Sequence, residues 1–134
     1  MHDHVVYAYS VDCEERRVVV HTVYRGGPSA KFTDVIFGDV VAHYFEHVLP
    51  ENILFDVAEA DVAAVVREHG SLLADSWRYR WPAVEYRGDL DVLIEKLKAA
   101  GVRAYVIESS YGLSGWVLAG SCKRVARGEA ARVM

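Results

Sequence analysis

From residue 5 to residue 57 the chain runs in short stretches of β-branched and aromatic residues separated by polar breaks. In "VVYAYS" (5–10) Tyr7 and Tyr9 alternate with Val6 and Ala8, and after a polar cluster at 12–17 the run "VVVHTVY" (18–24) takes up the same character. Two such runs around a polar break predict a hairpin, because branched and aromatic side chains fit a pleated, half-buried surface. Gly26-Gly27-Pro28 ends the second run, since proline has no N–H to give to a strand ladder. Residues 32–37 and 40–48 predict two further strands divided near Gly38-Asp39, and "ILFDV" (53–57) a fifth after the turn at Pro50-Glu51-Asn52.

The period then lengthens. Val62, Val65, Val66, His69, Leu72 and Leu73 recur at helical spacing, with Gly70 inside the run to end or bend the helix. A second helix is predicted over 89–100. Asp89 caps it, Leu90, Leu93, Ile94 and Leu97 form a stripe toward the sheet, Lys96 and Lys98 suit its C-terminal dipole, and Gly101 suits a left-handed cap. Residues 102–109 and 116–125 predict a closing strand pair around Gly112-Leu113-Ser114-Gly115, and from about residue 126 the small and charged tail is expected to fray. Strands, then two helices, then a hairpin predict a single α+β domain over residues 1–134: a mostly antiparallel sheet with two helices packed on one face.

Composition adds bounds. A chain of 134 residues buries roughly two-thirds of its unfolded surface, so it needs no metal or disulfide to fold. The 52% hydrophobic and 25% charged content is that of a globular protein, and a net charge of −4 points away from nucleic acid and anionic membranes as partners. Cys13 and Cys122 form no C-x-x-C and read as two reduced thiols. "MHDHVVYAYS" lacks a cationic start followed by an apolar core, and no apolar run approaches the ~20 residues of a membrane helix, so a cytoplasmic location is expected.

Candidate chemistry centres on His43-Tyr44-Phe45-Glu46-His47, which matches the H-x-x-E-H of inverzincin metalloproteases. That chemistry needs both histidines on one helical face, sharing a zinc with the glutamate as base. The surrounding valines and aromatics predict a strand instead, in which four residues span about 13 Å at ~3.3 Å each and Glu46 faces away from both histidines. Glu59, Glu85 and Glu108 are available as a further acidic ligand, but none lies in a second motif. No metal is therefore expected. His2 and His4 read as solvated, and His21 and His69 as isolated. The run from Ser109 to Gly115 is neither G-x-S-x-G nor a phosphate loop and reads as a hairpin connection. No catalytic residue and no cofactor site is assigned.

The richest surface candidate is "SWRYRWP" (76–82). Extended, it puts Trp77, Tyr79 and Trp81 on one face and Arg78 and Arg80 on the other. Trp, Tyr and Arg are the residues most enriched at interface hot spots. The plainer alternative is that the aromatics anchor this connection to the core while the arginines are solvated.

Four stretches, "YSVDCEERRVVVHTVY", "FTDVIFGDVVAHYFEH", "NILFDVAEAD" and "SSYGLSGWVLAG", spanning residues 5–122, together resemble a set of small bacterial proteins, among them immunity proteins encoded near polymorphic toxins. The resemblance implies a bacterial cytoplasmic protein that binds another protein, and it transfers no catalytic residue. The expected function is therefore a non-enzymatic protein-binding module, an immunity protein whose partner is a toxin domain. The alternative is a small enzyme or ligand-binding protein with a pocket between sheet and helices.

Overall fold

The computed structural model describes residues 3–127. Among them eight strands and three helices follow in the order β1 (His4–Asp12), β2 (Arg17–Tyr24), β3 (Lys31–Gly38), β4 (Ala42–Glu46), β5 (Asn52–Ala60), α1 (Val62–Glu68), α2 (Gly70–Ser76), α3 (Leu90–Ala99), β6 (Arg103–Tyr111), β7 (Ser114–Ala119) and β8 (Ser121–Arg127). A single 3-10 turn, Trp77–Tyr79, extends α2.

All strand pairs are antiparallel, in the order β4-β7-β6-β5-β1-β2-β3-β8. Each end of that order continues the strand that neighbours the other end. β3 runs on into β4, β7 runs on into β8, and β3 pairs with β8 while β4 pairs with β7. The ladder passes from Gly38 opposite Ser121 to Ala42 opposite Leu118 with one extra residue on the first strand. Such a bulge bends a strand pair and adds twist. Gly120 N–H donates to Gly38 O at 3.0 Å, and Val41 N–H to Leu118 O at 2.8 Å, so bonding continues around the corner. The sheet thereby closes on itself as a barrel, which leaves little free edge.

Closure divides the apolar residues between two cores. Val6, Val18, Val20, Val35, Phe37, Leu54, Tyr105, Ile107, Val117 and Ala119 fill the interior. The opposite side chains of β4, β6 and β7, Ala42, Ala104, Trp116 and Leu118, meet the helices through Val62, Val65, Val66, Leu73, Leu93, Ile94 and Leu97. Successive strand residues point to opposite faces, so β7 serves both cores at once and reads as a continuous apolar run.

The antiparallel sheet agrees with the sequence pattern, but three helices stand where two were expected. His69 takes non-helical dihedrals (φ −104°, ψ 28°) and ends α1, and the chain restarts at Gly70 as α2. A Cβ on Gly70 would stand 3.1 Å from Leu90 Cδ1, so the break lets the start of α2 come close to α3. Asp89 caps α3 by accepting from the backbone N–H of Asp91 and Val92, and Gly101 follows at φ +75°. The stripe of α3 forms as the spacing predicts: Leu93, Ile94 and Leu97 are buried and Leu90 half-buried, in one core with α1, α2 and the sheet residues Ala104, Trp116 and Leu118. Leu93 is 0% exposed, and Leu93→Ala is expected to cost about 3 kcal/mol through the cavity it leaves. Urea denaturation measures this; a cost near zero would contradict the packing.

The predicted fourth strand shortens to Ala42–Glu46, and the predicted seventh divides at Gly120. Of the tail, Ala126 and Arg127 pair with Thr33 and Phe32, while residues 128–134 lie outside the described residues, as do Met1 and His2. No helix among the described residues is long and apolar enough to cross a membrane.

Candidate functional site

The "SWRYRWP" segment is not extended. After α2 the chain makes the 3-10 turn Trp77–Tyr79, and Arg80 takes the left-handed conformation (φ 57°) while its N–H donates to Trp77 O at 3.0 Å. The peptide bond between Trp81 and Pro82 is cis. A turn breaks the period of two, so the three aromatics do not share a face. Trp77 and Trp81 are half-buried against the helical core, with the Trp81 ring centroid 5.7 Å from that of Trp116. Tyr79 is 83% exposed at the tip of the turn, between the exposed Arg78 and Arg80. Beneath this knuckle the Tyr86 hydroxyl lies on the carbonyls of Leu73 and Trp81 and ties the loop to α2. Burial raises the pKa of Tyr86, which keeps the hydroxyl a donor.

The histidines of H-x-x-E-H part company. His43 lies on β4 with its ring 5.2 Å from that of Phe45, and burial lowers its pKa, favouring the neutral imidazole. His47 is exposed and follows the strand in a left-handed conformation (φ 57°), so the shared strand face expected for the pair is not what forms. Among the described residues no three His, Cys, Asp or Glu side chains gather as a metal site. Both cysteines are free, and burial raises the Cys122 thiol, which disfavours the reactive thiolate.

Two arrangements escaped the sequence reading. The first is a polar line across β1, β2, β3 and β8. Ser10 Oγ stands 3.5 Å from His21 Nε2, His21 Nδ1 is 2.8 Å from Asp34 Oδ1, and Arg127 Nη1 is 3.1 Å from Asp34 Oδ2. The order of contacts is that of a serine nucleophile, base and orienting carboxylate. However, the Ser10–His21 contact is at the long limit of a hydrogen bond, and Ser10 is exposed. Asp34 is buried and answered by both His21 and Arg127, and the line acts as a polar tie between strands. Its signal in the sequence is a lone acid in "KFTDVIFG", a charge inside an otherwise strand-like run.

The second is a groove of about 210 Å³ between the C-terminal end of α1 and the β4–β7 pair. Tyr44, Glu46, Glu68, His69 and Trp116 line it. Tyr44 stacks on Trp116 with centroids 6.1 Å apart, and the His69 ring is 5.5 Å from Trp116. Glu46 and Glu68 are exposed and take part in no ion pair among the described residues. Trp116 is 2% exposed, yet its indole Nε1 has no acceptor among the described residues. These residues are scattered between positions 44 and 116, so no local spacing announces them. Compared with protein-family models, with curated proteins and with solved structures, the chain matches none of them.

Proposed function

We propose that this chain is a non-enzymatic protein-binding module that acts as a cytoplasmic bacterial immunity protein, neutralising a toxin domain by covering its working surface. The observation that carries the reading is the knuckle: Tyr79, 83% exposed, flanked by two exposed arginines and held on a base of half-buried tryptophans. A rigid base lowers the entropy lost on binding, and tyrosine presents large contact area with few rotamers to freeze. Arg78 and Arg80 would meet carboxylates and set register.

The knuckle separates two variants. Tyr79→Ala is expected to leave the melting temperature nearly unchanged and to cost at least ~2 kcal/mol of binding, about thirtyfold in affinity. Trp81→Ala is expected to lower the melting temperature, because that ring packs on Trp116. Co-expression with a toxin domain encoded beside the gene reads the outcome as growth. Full protection by a triple alanine variant of Arg78, Tyr79 and Arg80 would place the interface elsewhere. The competing reading, a small enzyme or ligand-binding protein with a pocket between sheet and helices, draws its support from the Tyr44–Trp116 groove.

A further inference from the structure

We infer that the groove between α1 and the β4–β7 pair receives the side chain of an arginine from a protein partner, an inference that rests on the protein-binding reading and gives it a second contact. Its walls have the matching chemistry. The half-buried Tyr44, backed by the Trp116 ring, offers an aromatic face, against which a planar guanidinium stacks and is drawn by the ring quadrupole. Glu46 comes from the end of β4 and Glu68 from the end of α1, so two carboxylates meet at the groove from different elements without a cation of this chain to answer them among the described residues. Surface arginines near the helices and sheet are directed to other partners: Arg67 to Asp91, Arg103 to Glu59, Arg124 to Asp56. A net charge of −4 adds a weak attraction for a basic partner.

Size and hydrogen bonding narrow the occupant. At about 210 Å³ the groove is smaller than the ~300–1,000 Å³ of ordinary small-molecule pockets, and it suits one side chain better than a cofactor. Trp116, one of the residues lining the groove, also has an indole Nε1 with no acceptor among the described residues, and buried polar groups are rarely left unpaired. The same Trp116 ring meets Trp81 at the base of the knuckle, so groove and knuckle are joined through packed tryptophans.

The test uses the whole chain and no partner, so its outcome does not depend on whether a toxin is found. Nα-acetyl-arginine methylamide is titrated into ¹⁵N-labelled protein, with the uncharged citrulline analogue as control. The Trp116 indole N–H and His69 resonances are expected to shift saturably, with half-saturation at about 1 mM, and the citrulline analogue is expected to produce no saturable shift. E46Q/E68Q is expected to weaken binding roughly tenfold while melting like the wild type, since both side chains are exposed. Absence of a saturable shift, an equal response to citrulline, or undiminished binding by E46Q/E68Q would overturn the assignment. Tighter binding of spermidine than of the arginine probe would overturn the protein partner in favour of a free polyamine.

Discussion

Gly115→Ala is expected to cost about 4 kcal/mol of stability, well above the usual range for a single substitution, and to detach β4 from the sheet. Gly115 sits at φ 153° opposite Phe45, where a Cβ would overlap the Tyr44 carbonyl oxygen and stand 3.1 Å from Phe45 Cα. The obstructing atoms are backbone, so no side-chain rotation relieves them. Either β4 moves away or the strand pair opens. Gly101→Ala is the control. It also has a left-handed φ of +75°, but nothing lies within 4 Å of its Cβ, so it should cost only the ~1–2 kcal/mol of backbone strain. Urea denaturation compares the two, and amide exchange over Ala42–Glu46 locates the damage. Equal costs would mean that close approach of β4 is not what requires Gly115. Because Tyr44 and Glu46 ride on β4, Gly115→Ala should also abolish the arginine-probe response.

Asn52→Leu is expected to cost about 4 kcal/mol, because it leaves buried backbone groups without partners at roughly 1–3 kcal/mol each. Asn52 is 3% exposed and uses its full bonding capacity. Its Oδ1 accepts from Leu49 N–H at 2.9 Å and from Leu113 N–H at 2.8 Å, while its Nδ2 donates to Leu49 O at 2.8 Å and to Val6 O at 3.3 Å. One side chain thus ties together the turn before β5, strand β1 and the β6–β7 hairpin. Leu49 is exposed and can turn to water, but the Leu113 N–H sits beside a fully buried side chain and has no such recourse. The measurement is the shift in urea midpoint at constant slope, which isolates stability from changes in exposed surface. A cost below about 1 kcal/mol would mean that the network is not cooperative. Gly112 (φ +87°) belongs to the same unit, since a Cβ there would overlap Asn52 Oδ1. Gly112→Ala and Asn52→Leu should therefore combine with less than additive cost.

The candidate sites were legible to different degrees. The aromatic–arginine run was visible as composition, because five consecutive residues of interface type stand out in any chain. Its geometry was not: the left-handed Arg80 splits Tyr79 from the two tryptophans, and only packing decides which aromatics go inside. H-x-x-E-H was visible as a motif, and the valines and aromatics around it argued correctly against a helix. His47 still left the strand, since a five-residue β4 is as long as its pairing with β7 allows. The groove left no trace, because its residues come from β4, α1, β6 and β7 and meet only once the sheet has closed.

By itself the sequence determined the periods: two along the strands, 3.6 along the helices, with the breaks at Gly26-Gly27, Gly70, Asp89 and Gly101 that local backbone chemistry imposes. These depend on neighbours in the chain and need no distant partner. It also specified the capping of α3, a bond between residues two and three apart. Tertiary structure alone decided which strands pair, how the bulge at 39–41 and Gly120 turns two strands into four and closes the sheet, and which face of β7 meets the helices. Those outcomes rest on contacts between residues as far apart as Phe32 and Arg127. Many strand orders bury the same apolar residues locally, and the observed one is selected by closing the barrel and filling both cores together.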